Sequence, residues 1–240
     1  MQVYAVLGRP GTEAGLFARL LANRLRATTV ALPPCAAAEI AHRTHLGGEL
    51  QRHAATAAEG SLLPSSLVAP LILPRLQRAA QQGAGTLVLS GFPRTVDQER
   101  MLQMAGVRVP TVLNMVLDYD EARRRLDDRQ VCESCGEPMY PLPPVEGAPG
   151  GLLSHLVEGD CESPKPRRLA YDQAPVDTRL RAFEEFTAPL LERLRAGSAA
   201  AVHDIPVGQR SEETWAHILS ACGLPPDESE QSEQSEQSEV

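Results

Sequence analysis

The chain has 240 residues, 42 % hydrophobic and 22 % charged, which is ordinary globular composition for one compact domain or one domain with a small inserted lobe. Its net charge of −8 is unevenly placed: Leu224–Val240 carries six acids and no base, leaving 25 acids against 23 bases in the body. A near-neutral body gives no sign of a nucleic-acid or anionic-membrane surface, and no apolar run approaches the roughly 18 residues of a membrane-spanning helix.

The first residues, Met1 to Gly8, have neither the basic segment nor the apolar core of a secretion signal. The expected setting is a soluble, reducing, cytoplasmic one, with an organellar or assembly-bound chain left open. Five scattered cysteines, an odd number, argue against a disulfide framework. Gln2–Leu7 alternates short and branched apolar residues like a buried strand. The run Gly8-Arg9-Pro10-Gly11-Thr12-Glu13-Ala14-Gly15 follows, and Leu16, Leu20, Leu21 and Leu25 then recur at helical spacing. Further apolar runs predict buried parallel strands at Thr28–Leu32, Thr86–Leu89, Val112–Leu117 and Ala199–His203, with helices between them. This alternation predicts an α/β fold, a parallel sheet covered on both faces.

Two regions break the alternation. Ala36–Ala80 reads as almost entirely helical, and Cys132–Arg168 is rich in Pro and Gly and holds three of the cysteines. Both are expected to be inserts at the carboxyl edge of the sheet, where α/β folds bind ligands. The Ser-Glu-Gln repeats of the tail cannot bury enough apolar area to offset the entropy of ordering, so residues 224–240 are expected to be disordered, or to serve as a docking segment.

The frame Gly8-Arg9-Pro10-Gly11-x-x-x-Gly15 between strand and helix suits a phosphate loop, because glycines let backbone N–H groups turn inward at a helix N-terminus. By itself it also fits a tight strand-to-helix turn. After the third apolar strand comes Ser90-Gly91-Phe92-Pro93-Arg94-Thr95-x-x-Gln98. With this run the chain resembles the adenylate kinases, within the nucleoside monophosphate kinases, from about Gln2 to Gly223. Other pieces fall in the family's order. They are Gly60-x-Leu62-Leu63-Pro64-x-x-Leu67-Val68, Arg125-x-x-x-Arg129 with Cys132-x-x-Cys135, then Arg168, Arg179-Leu180 and Thr187-Ala188-Pro189-Leu190.

The resemblance implies a P-loop NTPase-like sheet of five parallel strands in the order 2-3-1-4-5. It also implies a monophosphate-binding insert over residues 36–80, a lid over residues 128–171, and the interconversion of ATP plus AMP with two ADP under Mg²⁺. Arginines suit that chemistry, since each offers an always-charged planar fork to phosphate oxygens. By position, Arg94 is expected to bind the monophosphate's phosphate, and Arg129, Arg168 and Arg179 to converge on the transferred group. Arg125 is expected to stack on the triphosphate's adenine and Gln98 to contact the monophosphate's base. Gly8, Pro10, Gly11, Gly15, Leu63 and Gly91 complete the expected nucleotide site, with Arg43 as a second phosphate arginine. Arg123, Arg124, Arg181 and Arg195 read as surface charges. Asp118, Asp120, Asp127 and Asp128 form no catalytic pair; His203 reads as structural, Trp215 as core, and Cys35 and Cys222 as buried apolar residues.

The chain also departs from the family. The loop lysine is replaced by Ala14, the glycine before it by Glu13 and the threonine after it by Leu16; the aspartate before Gly-Phe-Pro-Arg is Ser90. The family's aspartate pair after the lid-exit arginine aligns with Ala170-Tyr171, one step from Asp172. The chain's only lysine is Lys165, far from the loop in sequence. Arg9 is one candidate to supply the missing charge. Cys132, Cys135 and Cys161 with Glu158, or with nearby His155 or Asp160, resemble a zinc lid with an altered fourth ligand. The alternative is a lid closed by packing around idle thiols. Two functions stay open: a weakened monophosphate kinase, monomeric and using ATP and AMP, or an inactive relative kept as a nucleotide-binding or structural subunit of a larger protein assembly.

Overall fold

The computed structural model describes residues 1–58, 60–127, 130–132, 138–139, 166–168, 173–197, 199–208 and 211–226, with the backbone alone at 130–132, 138–139, 166–168 and 173–175. In chain order the elements are β1 (Gln2–Gly8), α1 (Ala14–Leu25), β2 (Thr28–Ala31), α2 (Leu32–Ala41), α3 (His45–Thr56), α4 (Ser65–Gln81), β3 (Thr86–Ser90), α5 (Val96–Met104), β4 (Thr111–Val116) and α6 (Tyr119–Asp127). They continue with β5 (Gln130–Cys132), β6 (Pro138–Met139), β7 (Pro166–Arg168), α7 (Gln173–Ala182), a π-helical turn (Phe183–Thr187), α8 (Ala188–Ala196), β8 (Ala201–Pro206) and α9 (Ser211–Ala221).

β2, β3, β1, β4 and β8 form, in that order, one sheet in which every pairing is parallel. This is the α/β architecture and the strand order expected. The apolar runs carry no polar alternation because both faces are covered. Side chains of one strand point to opposite faces in turn. Val3, Ala5 and Leu7 therefore join Val68, Leu71, Ile72 and Leu76 of α4, Leu102 of α5 and Leu191 of α8. Tyr4 and Val6 join Leu16, Phe17 and Leu21 of α1 and Ile218 of α9 on the other face. Trp215 packs at the edge of this second cluster. Cys35 is buried, and burial pushes the thiol of half-buried Cys222 up to about 11.

Strand boundaries differ from the expected ones by up to three residues, and two of the ends have a visible cause. β2 stops at Ala31, and Leu32 opens α2 because Pro33 and Pro34 occupy its first turn, where the missing N–H groups cost nothing. The last strand runs to Pro206 instead of stopping at His203. Its polar stretch is sustained across the ladder: Asn114 Nδ2 donates to Asp204 Oδ1 at 2.7 Å, and Arg195 donates to the same oxygen at 2.5 Å.

α2, α3 and α4 cover most of the span expected to be the first insert, with no strand among its described residues. Arg75 of α4 binds it together by donating to Leu71 O at 2.6 Å, Cys35 O at 3.3 Å and Glu39 Oε1 at 3.2 Å. β5, β6 and β7 form a separate antiparallel sheet in the order β6-β5-β7 inside the span expected to be the lid. Residues 227–240 lie outside the described residues, so the expectation of a disordered tail is not addressed. No helix among the described residues is long and apolar enough to cross a membrane.

Candidate functional site

At the carboxyl ends of β1 and β3 a small cleft opens, lined by Leu7, Gly8, Pro10, Gly60, Leu62, Gly91, Arg94, Arg179, Phe183 and Thr187. Four parts of the chain build it. β1 delivers the loop, the turn before α4 brings Gly60 and Leu62, β3 delivers Gly91–Arg94, and α7 with the π turn brings Arg179, Phe183 and Thr187.

The β3 side is held by bonds to backbone. Gly91 adopts φ +62°, which side-chain-bearing residues rarely do, and a Cβ there would meet Arg94 Nη2 at 3.1 Å. That space lets Arg94 fold back and donate from Nε to Gly91 O at 2.9 Å. The Arg94 N–H donates to Gln98 Oε1 at 2.7 Å, and the Thr187 hydroxyl donates to Arg94 O at 3.1 Å. Thr95 caps α5 by accepting from Gln98 N at 3.1 Å. Burial pushes the Arg94 guanidinium below its ordinary range, and the charge of Arg179 pushes the same way. An anion between them offsets both the burial and the repulsion.

The β1 side is a turn whose lost side chains have been redirected. Thr12 donates from both N and Oγ1 to Arg9 O, at 3.2 and 2.8 Å. Gly11, at φ +93°, passes so close to α6 that a Cβ would lie 2.8 Å from Ala122 O. Glu13 takes the left-handed conformation, φ 58°, and its carbonyl accepts from Leu16 and Phe17 N–H at 2.9 and 3.1 Å as α1 begins. Ala14 and Leu16 pack with the core cluster under α1, Leu16 only 7 % exposed. Ser90 faces the start of α1, with its Oγ 3.8 Å from where a Gly15 Cβ would stand.

Of the residues singled out from sequence, Gly8, Pro10, Gly91, Arg94 and Arg179 meet in this cleft. Gly11 and Gly15 belong to the loop and the first turn of α1. Gln98 is buried behind Arg94 and contributes its carbonyl to the Arg94 backbone. Leu63 packs on the core beside the cleft while Leu62 faces it. Arg43 stands exposed in the α2–α3 turn at φ 52° and does not line the cleft. Arg125 is buried, donating from Nε to Glu121 Oε1 at 2.9 Å and from Nη2 to Gly208 O at 3.1 Å. Burial raises the Glu121 carboxyl, but hydrogen bonds and charge from Arg125 and Arg124 outweigh it and leave the carboxyl below its ordinary range. Asp118 caps α6, accepting from Asp120 N at 2.9 Å and Glu121 N at 3.2 Å.

Arg129, Cys135, Glu158, Cys161, His155 and Asp160 lie outside the described residues. Of Cys132 and Arg168 the backbone alone is described: Arg168 pairs with Gln130 and Cys132 with Pro166. Among the described residues no group of three or more His, Cys, Asp or Glu could hold a metal ion. The sequence reading did not assign Leu7, Gly60, Leu62, Phe183 or Thr187 to the site. Gly60, Leu62 and Thr187 sat inside quoted motifs. Phe183 carries no local signal, because it meets the cleft beside segments distant in sequence.

A glycine-rich loop and an arginine-bearing Gly-Phe-Pro-Arg turn thus leave adjacent strands and face a helix carrying a second arginine. The adenylate kinase of Pyrococcus abyssi is 30 % identical over 175 residues, covering 70 % of this chain and 76 % of that protein. The chain belongs to the adenylate kinase family. The adenylate kinase of Desulforamulus reducens is 28 % identical over 196 residues, 80 % of this chain and 86 % of that one. The "Probable adenylate kinase 6, chloroplastic" of Arabidopsis thaliana is 26 % identical, with 93 % of this chain and 76 % of that protein covered. No family model matches the chain.

Proposed function

We propose that this adenylate kinase family member binds adenine nucleotides through its arginine cleft and transfers phosphoryl groups between ATP and AMP slowly. One observation carries the reading: Arg94 and Arg179 share a cleft with the loop after β1, while Ala14 and Leu16 are packed with the core. Arginines that hold phosphate oxygens give binding and charge neutralisation. A loop without its lysine stabilises less of the charge that develops in transfer, and one lost donor of this kind costs about 3–4 kcal/mol, or 10²–10³ in rate.

The family's protein-held magnesium does not fit these residues. The position of its hydroxyl ligand is Leu16, buried among Tyr4, Val6 and Phe17, and that of its water-ordering aspartate is Ser90. Magnesium arriving on ATP is part of the substrate. In the lid, the Cys132-x-x-Cys135 spacing supports a structural zinc with Cys161 and Glu158, and the β5–β7 pairing that puts Arg168 opposite Gln130, next in sequence to Arg129, supports the two lid arginines as partners.

The second reading, a nucleotide-binding subunit with no turnover, is favoured by Arg9, whose guanidinium is committed elsewhere and does not replace the lysine. A coupled assay of pure full-length protein with ATP, AMP and magnesium separates the two. The proposal expects turnover at least 10²-fold below the 1–100 s⁻¹ common for kinases. Turnover inside that range contradicts the weakened loop, and none at all with AMP still bound selects the second reading.

A further inference from the structure

Arg9 fastens the loop after β1 to the π turn that follows the helix carrying Arg179. Arg9 Nε and Nη2 both donate to Glu184 Oε1, at 2.9 and 2.5 Å, and Nη1 donates to the carbonyl of Leu117 beyond β4. The guanidinium lies 5.4 Å from the Phe183 ring centre and 5.9 Å from that of Tyr119. One planar cation thus joins the loop, the end of β4, the start of α6 and the π turn.

We propose that Arg9 and Glu184 form a positioning latch that sets Arg179 against Arg94 for phosphate binding. The inference rests on reading the cleft as a phosphate site. Arg9 is placed to act through another residue, since Nε, Nη1 and Nη2 each donate to Glu184 or to Leu117. The π turn is held at both ends: Glu184 is bonded to the loop, and Thr187 to the Arg94 carbonyl at 3.1 Å. Arg179, Phe183 and Thr187 all line the cleft at successive four-residue spacings. Residues four apart share a helix face, so the three side chains fall on one side of the continuous α7–π run. Releasing Glu184 frees the turn that fixes this face and lets Arg179 move away from its partner.

The test uses the full-length chain, AMP as the probe, and the variants Arg9→Ala, Glu184→Gln, Arg179→Ala and the combination of the last two. In the wild-type background Arg179→Ala is expected to weaken AMP binding about tenfold or more, the scale of a charge-assisted hydrogen bond. With Glu184→Gln already present it is expected to cost less than about twofold, because the guanidinium is already displaced. Arg9→Ala and Glu184→Gln are expected to weaken AMP to similar degrees. Backbone amide exchange, which needs no ligand, is expected to rise at residues 8–12 and 183–187 together in either latch variant while β1 and β4 stay protected. Full additivity of Arg179→Ala and Glu184→Gln overturns the latch, as does unchanged exchange. Loss of binding on Arg9→Ala but not on Glu184→Gln overturns it in favour of direct contact between Arg9 and phosphate. A wild-type chain that binds no AMP overturns the cleft reading and the positioning role with it, whereas normal binding with additive variants overturns the latch alone.

Discussion

At the end of β3, Gly91, Arg94, Gln98 and Thr187 hold one another through side-chain-to-backbone bonds. At the end of β1, Ala14 and Leu16 pack with the core, and Glu13 takes the left-handed conformation. Both turns leave adjacent parallel strands at the same sheet edge. The first spends its side chains on aiming one cation into a cleft. The second spends its side chains on packing and on a cross-link to the π turn. The difference teaches that the two turns are built independently: the bonds that aim Arg94 do not depend on how the side chains of the β1 turn are used.

The largest expected effect falls on the β3 side. Arg94→Ala should weaken AMP binding about 10-fold to 10²-fold and lower any phosphoryl transfer by about 10²–10³, measured by titration and coupled assay. Restoring the other side should run the opposite way. Glu13→Gly with Ala14→Lys should raise turnover at least about tenfold, a fraction of what one preorganised donor supplies; an unchanged rate would place the deficit outside the loop. Leu16→Thr tests whether the loop's side chains now serve packing. It should cost about 1–3 kcal/mol in denaturant unfolding, since it removes apolar contacts and buries a hydroxyl. Thr187→Val should cost about 1 kcal/mol, the net worth of one hydrogen bond. The smallest effect concerns α6. Because the folded Glu121 carboxyl lies below its ordinary range, its contribution is full above the unfolded value of about 4.3 and fades as pH falls through the folded one. Glu121→Gln should therefore flatten the acid limb of stability, read by unfolding between pH 3 and 7 (about the carboxylate range).

Much of this was legible in the residues. Five apolar runs gave the five parallel strands, and the spacing of Leu16, Leu20, Leu21 and Leu25 gave α1. The Gly-Phe-Pro-Arg turn marked the cleft because its glycine and arginine serve one local geometry. What the sequence hid were contacts between distant segments. The ladder pair Asn114–Asp204 extended the last strand through residues that look polar and loop-like. Arg9 reads as a spare cation until Glu184, 175 residues away, is seen to hold it. Phe183 and Thr187 meet the cleft from a turn distant in sequence from the loop and from β3, a juxtaposition that no periodicity announces.

The central claim is that the arginine side alone sustains phosphate recognition. Calorimetric titration of AMP into the wild-type chain and into Arg94→Ala tests it most directly. The account predicts one AMP bound per wild-type chain, with the heat lost or the affinity down at least about tenfold in the variant. Equal binding by both proteins, or none by the wild type, would contradict it.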